Sequence, residues 1–412
     1  MKFLHTSDWH LGRTLYGKKR YEEFEAFLNW LADKIDHEKV DVLLIAGDVF
    51  DTTTPSNQAQ SLYYHFLCKI SQSNCKHVVI IAGNHDSPTF LTAPKQILAM
   101  LNVHIVGMKS DNIADEVITL FDNNIPQAII CAVPYLRDKD IRTLEPGESI
   151  DEKNNKLVKG LRDHYHSVCE HAESIKASFP EPIQSTIPII GMGHLFASGG
   201  KTAEGDGVRE LYVGSLAHVG ADIFPSALDY VALGHLHIPQ LVSQIEHIRY
   251  SGSPIAMGFG EAGQQKHVII VNFKANKSNI ETIEVPIFQP LVRIKGDLDI
   301  IEARLHQLVA ENSSAWLEIE YSGKSIIADL RVHLDELISG SMLEIRRIKN
   351  RLIFDSILQQ EKIDESLEDL SELDVFYRCL DANNVLESER EELVALYQHT
   401  LKSLNEYDVN QE

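Results

Sequence analysis

The stretch VDVLLIAGD, residues 40–48, is the strongest single indication of how the first part of this chain folds. It is continuously apolar from Val42 to Ala46, and a glycine and an aspartate end the run. Such a run is typical of a strand that is buried on both faces of a parallel sheet. Two similar runs, residues 1–8 and 77–86, lie on either side of it, and helical patterns separate the three. The sequence therefore predicts a βαβ arrangement with a largely parallel sheet.

The composition is that of a folded protein with more than one domain. The chain has 412 residues, of which 44% are hydrophobic, so we expect a buried core and two or three domains. No apolar run reaches the ~18 residues of a membrane span, and polar residues follow the first few positions, so we expect no signal peptide. The five cysteines form no CxxC pair, which favours the reducing cytoplasm over a disulfide framework or a cysteine zinc site.

The net charge of −22 argues at first against a nucleic-acid partner. Its distribution weakens that argument, because residues 351–412 carry sixteen Asp/Glu and only five Lys/Arg. Residues 1–110 carry eleven residues of each sign and are formally neutral. The basic run at residues 13–20 is therefore a candidate for contact with a polyanion, and a solvated loop is an equally good interpretation.

The pattern of the chain changes near Pro286 and again after Arg351. We expect a first domain over residues 1–285. Residues 286–350 alternate strand and helix patterns, which predicts a small second domain. Residues 351–412 are acidic with apolar residues at helical spacing, which predicts a helical tail. That tail either docks a partner or is a solvated helix.

Polar residues follow the predicted strands at the point where each strand ends. In parallel sheets, ligands gather beyond the carboxyl ends of the strands. The candidate site residues in these positions are Asp8, His10, Asp48, Asp51, Asn84, His85, Asp86, His194, His235 and His237. Taken singly, each has an ordinary interpretation as a turn former or as a hydrogen-bonded core histidine. As a set they offer carboxylate, imidazole and carboxamide donors without thiolate, which suits Mn²⁺, Fe²⁺ or Zn²⁺.

Two histidine pairs of identical spacing differ in their context. His235 and His237 belong to an extended run, so their side chains project to the same side. His164 and His166 lie in a helical pattern, where positions two apart diverge and do not share a metal. Only the first pair is therefore a candidate for metal binding. An aspartate able to bridge two ions, with His and Asn beside it, would complete a two-metal centre for phosphate ester hydrolysis.

The motifs D-x-H, GDxxD, GNHD, GH and GHxH occur in this order and resemble those of the calcineurin-like metallophosphoesterase family. The blocks TSDWHLG, GDVFD, GNHDS and YSGSP are similar to those of its DNA-repair nucleases. The resemblance implies an α/β fold, a four-layer metallophosphoesterase β-sandwich flanked by helices. A small α+β capping domain and a helical C-terminal tail would follow this nuclease domain.

The resemblance also implies seven metal ligands and two Mn²⁺ ions per chain, although other divalent ions fit the same donors. One ion would be held by Asp8, His10 and His237, the other by Asn84, His194 and His235, and Asp48 would bridge the two.

Three residues beside these ligands receive other roles. His85 is implied as the catalytic group that stabilises the transition state or protonates the leaving oxygen. Asp51 and Asp86 are expected to orient histidine ligands. A turn or helix-cap role for these two carboxylates is an equally good interpretation.

The implied activity is that of a metal-dependent DNA nuclease. It comprises 3′→5′ exonuclease action on duplex ends and endonuclease action on hairpins and single strands, in DNA replication, recombination and repair. The sequence contains no Walker A motif, so any ATP dependence must come from another subunit, implied to be a coiled-coil ATPase. The alternatives are a phosphoesterase for small molecules or phosphoproteins, and a non-catalytic DNA-end scaffold.

We also expect a homodimer within a heterotetramer with the ATPase. Helices predicted near residues 58–71 and 91–101 would pair two copies through Tyr63, Phe66 and Leu98. Packing of these three side chains in the core is the alternative.

Overall fold

A computed structural model describes residues 1–142, 149–197, 219–274, 277–323, 327 and 329–350, and residues 376–377, 380, 390, 393–394 and 397. The chain divides into two compact units, Met1–Leu291 and Val292–Glu412. The division falls a few residues after the boundary expected at residue 285.

The strands in the described ranges are numbered β1 to β17 in chain order. They are Lys2–Thr6, Thr14–Leu15, Lys18–Lys19, Val42–Ala46, His77–Ile81, Val103–Val106, Val117–Asp122, Ile125–Ala132, Ile189–His194, Tyr230–Gly234, Gln240–Val242, Ile245–Tyr250, His267–Lys274, Lys277–Glu284, Leu291–Gly296, Trp316–Tyr321 and Glu344–Asn350.

The α-helices in the same ranges are numbered α1 to α9. They are Tyr21–His37, Asn57–Ser71, Pro88–Thr92, Lys95–Ala99, Asp138–Ile141, Ile150–Ala177, Glu181–Gln184, Leu298–Ala310 and Leu330–Leu337. Among the described residues, no helix combines the length and the apolar character needed to cross a membrane.

Two six-stranded sheets form the first unit. Their strand orders are β14-β13-β1-β4-β5-β6 and β11-β12-β10-β9-β8-β7. In the first sheet β1, β4, β5 and β6 are parallel, and in the second β8, β9, β10 and β12 are parallel. The predicted α/β fold with parallel strands is therefore confirmed.

The alternation of side chains along β4 explains its continuously apolar sequence. Val42 and Leu44 point into the core between the two sheets. Leu43 and Ile45 point to the opposite face, into a core shared with α1 and α2. The strand is therefore covered on both faces, which requires apolar residues at successive positions. Because α6 packs on the outer face of the second sheet, the layers run helix, sheet, sheet, helix.

The prediction that Tyr63, Phe66 and Leu98 pair two copies of the chain is wrong. These side chains are 1%, 3% and 5% exposed and pack in the core between the helices and the first sheet. The core-packing alternative is confirmed, because the apolar stripe of α2 faces the sheet. The second predicted helix is two short ones, α3 and α4, and α4 instead exposes Ile97 and is followed by an exposed Met100, at 71% and 84%.

The second unit contains a three-stranded sheet of order β15-β16-β17. Strands and helices alternate along the chain in the order that the sequence predicts. Leu317 and Ile319 of β16 pack against Ile301 and Leu305 of α8 and Leu334 of α9, so one face of this sheet carries the core. The expected acidic tail, residues 351–412, lies almost entirely outside the described residues.

Candidate metal centre

Both sheets of the first unit place polar side chains just beyond the carboxyl ends of their parallel strands. The seven predicted ligands are Asp8 and His10 after β1, Asp48 after β4, Asn84 after β5, His194 at the end of β9, and His235 and His237 after β10. All except the half-buried Asn84 are at most 5% exposed. The two sheets pack face to face, so these strand ends meet at one edge of the sandwich.

Asp8, His10 and His237 form a first group of converging donors. One ligand atom from each of these side chains lies within 4.8 Å of the other two. The Nε2 atoms of His10 and His237 are 3.2 Å apart, although the residues belong to different sheets. A carboxylate and two imidazoles that converge in this way are suited to hold a divalent transition-metal ion.

Asp48, His194 and His235 form a second group, again within 4.8 Å of one another. The Oδ1 atom of Asn84 lies 3.1 Å from His194 Nε2 and 2.9 Å from His235 Nδ1, so it belongs to the same cluster. The sequence-predicted set of four donors is therefore brought together here.

The carboxylate of Asp48 lies between the two groups. Its Oδ2 atom is 3.2 Å from His194 Nε2 and 3.6 Å from His10 Nε2. Burial alone would raise the pKa of Asp48, but His194, together with His10 and His85, outweighs burial and holds the pKa well below its usual value. The carboxylate is therefore ionised and in reach of both groups, as a bridging ligand must be.

The atoms around His194 in the second group are arranged to favour a cation. His194 Nδ1 donates to the carbonyl oxygen of Ala46 at 2.9 Å, so Nε2 bears the lone pair of the neutral ring. That lone pair faces the oxygens of Asn84 and Asp48, which are also acceptors. Burial would lower the pKa of His194, but Asp48 and Asp8 raise it to about 9. A positive charge is therefore favoured at this point, and a bound metal ion would supply one.

The backbone at the site adopts conformations that are uncommon for residues with side chains. Asp8, His10, Asp48 and His235 have φ values of 54°, 48°, 49° and 102°. Such conformations cost on the order of 1–3 kcal/mol each and cluster at functional sites. Hydrogen bonds hold them in place: the amide of Asp8 donates to the carbonyl oxygen of Gly47 at 3.0 Å, and the amide of His235 donates to Asp8 Oδ1 at 2.9 Å.

Glycines directly precede four of the predicted ligands, and at three of these glycines another part of the site takes the space for a side chain. A Cβ atom at Gly83 would collide with Asp48, and one at Gly234 would collide with the carbonyl oxygen of Ala46. Gly47 has φ +89°, and a Cβ there would also collide with the His194 ring. The glycines of the GD, GN and GH motifs thus allow the strand ends to approach closely.

His85 lies beside the ligands with its ring anchored. Its Nδ1 atom donates to the carbonyl oxygen of Asp51 at 2.8 Å, and its backbone amide donates to Asp48 Oδ1 at 2.9 Å. The ring is half-buried and edge-on to His10, with the ring centroids 4.8 Å apart. His85 also converges with His10 and Asp51 in a third possible metal group, so its role requires a direct test.

Asp51 and Asp86 differ in what they contact. The Oδ1 atom of Asp51 is 3.2 Å from His10 Nδ1, on the side of the ring that faces away from His237. The carboxylate of Asp86 instead accepts hydrogen bonds from the backbone amides of Val49, Phe50 and Gly83 at 2.9–3.1 Å. Asp51 is thus positioned to orient a histidine, whereas Asp86 fastens together the loops after β4 and β5. Burial and the nearby Asp48 raise the pKa of Asp86 to about 6.

Sequence reasoning missed two buried charged residues behind the first group. Glu261 Oε1 lies 3.4 Å from His237 Nδ1, and Lys266 forms an ion pair with Glu261. Burial would raise the pKa of Glu261, but Lys266 lowers it to about 2. They lie in a loop between β12 and β13 that carries no metal-binding motif. The nearest signal is YSGSP, whose Ser253 contacts both residues.

The second histidine pair has the structural role expected for a helix. His164 lies on α6, and its Nε2 atom is 2.7 Å from the buried carboxylate of Glu116. It is absent from the groups of converging metal donors found among the described residues.

Together the fold and the site define the class of the calcineurin-like phosphoesterases. A family model described as "Calcineurin-like phosphoesterase" matches residues 1–239, a range that contains all ten predicted site residues. A second model, described as "Type 5 capsule protein repressor C-terminal domain", matches residues 287–384. The chain is accordingly a phosphoesterase of a family that uses divalent metal ions.

Similarity to curated proteins identifies a smaller family within the calcineurin-like phosphoesterases. The chain is similar to the SbcD subunit of nuclease SbcCD from Escherichia coli K12, with 36% identity over 98% of each chain. It is also similar to the SbcD proteins of Bacillus subtilis, at 32% identity over 78% of each chain, and Rhodobacter capsulatus, at 35% over 71% of each chain. The chain therefore belongs to the SbcD family of nuclease subunits.

Proposed function

We propose that this chain is a two-metal DNA nuclease. Its activities would be 3′→5′ exonuclease action on duplex ends and endonuclease action on hairpins and single strands, in DNA-end processing, replication, recombination and repair. The observation that carries the proposal is the convergence of two donor groups around one carboxylate, Asp48. The similarity to nuclease subunits of the SbcD family supports a nucleic-acid substrate, which we propose to be DNA.

The seven ligands would divide between two ions. One would be held by Asp8, His10 and His237, the other by Asn84, His194 and His235, with Asp48 shared between them. When bound, two divalent ions would supply a nucleophile at neutral pH and would stabilise the phosphate oxygens during in-line displacement. We propose Mn²⁺ as the working ion, because the oxygen and imidazole donors accept it.

His85 is proposed to act on the reacting phosphate. The hydrogen bond from Nδ1 to the Asp51 carbonyl oxygen fixes the plane of the ring and leaves Nε2 on the opposite side. When the ring is protonated, Nε2 also carries a hydrogen, and an imidazole held in this way is suited to donate a hydrogen bond or that proton to the departing oxygen. Asp51 would contribute twice, through its carbonyl oxygen to His85 and through its carboxylate to His10.

The domain layout follows from the same proposal. Residues 1–285 would form the nuclease domain and residues 286–350 the capping domain. The four free cysteines among the described residues, Cys68, Cys75, Cys131 and Cys169, support a reducing, cytoplasmic location.

We propose an SbcC-type coiled-coil ATPase as the partner, in a heterotetramer built on a homodimer of this chain. The exposed Ile97 on α4 and Met100 just after it support a surface between copies. Residues 351–412 would dock the ATPase. Deleting residues 352–412 should weaken association with that subunit and leave Mn²⁺ binding intact. Unchanged association would contradict the docking role of the tail.

A nuclease assay tests the central proposal. The purified chain, loaded with Mn²⁺, is incubated with end-labelled duplex, hairpin and single-stranded DNA, with and without its ATPase, and in parallel with p-nitrophenyl phosphate. We expect cleavage of the DNA that EDTA abolishes. DNA binding without cleavage by protein with confirmed Mn²⁺ would support a scaffold instead. Turnover of the small ester alone would support a phosphoesterase for small substrates.

A further inference from the structure

A buried ion pair stands behind His237 and has no part in the proposed chemistry. Glu261 and Lys266 are 0% and 4% exposed, and Lys266 Nζ contacts Glu261 Oε2. The other oxygen of the same carboxylate, Oε1, lies 3.4 Å from His237 Nδ1. The carboxylate therefore lies between a buried cation and the rear nitrogen of a metal ligand.

The pair also holds the backbone of the same histidine. Lys266 Nζ donates to the carbonyl oxygen of His237 at 3.0 Å and to Ser253 Oγ at 3.1 Å. The amide of Ser253 donates to the His237 carbonyl oxygen at 3.2 Å, and the amide of Met257 donates to Glu261 Oε2 at 3.1 Å. The main chain of His237 is thus held by this cluster, and the His237 ring faces the Glu261 carboxylate at 3.4 Å.

Stability alone does not account for this arrangement. Removing two charges from water is unfavourable, and proteins with apolar residues of similar volume in such places are often as stable or more so. An acceptor at Nδ1 has a specific consequence for a metal ligand. It keeps the proton on Nδ1, so that Nε2 presents its lone pair to the ion, and it fixes the orientation of the ring.

We propose that Glu261 and Lys266 are positioning residues for the first metal ion: Glu261 orients the His237 ring, and Lys266 holds Glu261 and the His237 backbone in place. The inference rests on the metal-binding part of the proposed function. It assigns the loop between β12 and β13 a role in metal affinity, and it predicts an effect on one ion and not on the other.

The test measures metal binding to the full chain after the metal has been stripped. Mn²⁺ is titrated by calorimetry into wild type and Glu261→Gln, and Co²⁺ is titrated with detection by visible absorption. We expect two sites in wild type. In Glu261→Gln, one site should weaken by about 10–100-fold, the loss typical of a removed outer partner of a metal-bound histidine, and the Co²⁺ band of that site should shift. The other site should keep its affinity.

The matched control is Glu116→Gln, which removes the carboxylate from another buried glutamate–histidine pair, Glu116 with His164 at 2.7 Å. It should leave both affinities unchanged. The double variant Glu261→Gln/Lys266→Met removes both charges and replaces the single variant in the test if that variant does not fold. We expect it to weaken metal binding at the same site. Two unchanged sites in either variant would overturn the inference. Absence of Mn²⁺ binding in wild type would overturn the proposed function and this inference with it.

Discussion

Replacing His85 by alanine separates catalysis from metal binding at this site. The substitution keeps the backbone amide that donates to Asp48 Oδ1 at 2.9 Å, so the carboxylate that we propose as the bridge retains this hydrogen bond. The lost contact is one hydrogen bond from a half-buried ring to the carbonyl oxygen of Asp51. A bond of this kind contributes about 0.5–1.5 kcal/mol, so we expect the free energy of unfolding to fall by about that amount.

The effect on turnover should be much larger. Loss of a positioned general acid lowers a rate by about 10²–10⁴-fold, which corresponds to about 2.7–5.4 kcal/mol in activation free energy. The assay is Mn²⁺-dependent cleavage of labelled duplex DNA, with metal content measured on the same preparation. We expect two ions per chain and a kcat reduced within this range.

The control for this experiment is His37→Ala, whose side chain is 76% exposed at the end of α1. It should leave both kcat and metal content unchanged. Loss of one ion from His85→Ala would refute the catalytic role and make His85 a ligand, in the group that it forms with His10 and Asp51. A kcat within a factor of a few of wild type would refute it as well.

Three further results are expected. Asp48→Asn should reduce metal content below one ion per chain, because the Asp48 carboxylate reaches both donor groups; two retained ions would contradict the bridging role. Gly234→Ala forces a methyl group against the Ala46 carbonyl oxygen and should lower the free energy of unfolding by about 1–3 kcal/mol in urea; an unchanged midpoint would contradict the close approach. Burial lowers the pKa of His5 to about 3, whereas the unfolded chain has about 6.5. The unfolded state therefore binds this proton first, and stability decreases as the pH falls from 6.5 towards 3. Between about pH 6.5 and pH 5, the free energy of unfolding should fall by about 2 kcal/mol less in His5→Gln than in wild type. An equal fall in both proteins would contradict this assignment.

The parallel strands and the polar donors at their ends could be predicted because local patterns encode them. Val42–Ala46 is apolar at successive positions since both of its faces are covered, and that pattern is visible without a structure. The same local reasoning separated His235 and His237 from His164, which pairs with Glu116. The extended run predicted for GHLH is wrong, because β10 ends at Gly234 and His235 has a φ of 102°.

Local patterns were insufficient where the partner of a side chain is remote in the sequence. The apolar stripe of α2 indicated that Tyr63 and Phe66 would be covered, but not that the first sheet rather than a second copy covers them. Glu261 lies in a loop without a motif, and only the structure shows that it lies beside His237. Asp86 resembled a carboxylate that orients a histidine, whereas the fold directs it to three backbone amides.

The kinds of donor and their order along the chain can therefore be read from the residues alone. Which donors share a site is a property of the fold: His10 and His237 lie 227 positions apart, and their Nε2 atoms meet at 3.2 Å. The physical reason is the packing of the two sheets, which buries the apolar faces of strands from separate parts of the chain against each other. Burial of these faces brings the strand ends together, and the glycines at positions 47, 83 and 234 leave room for the two donor groups to close around Asp48.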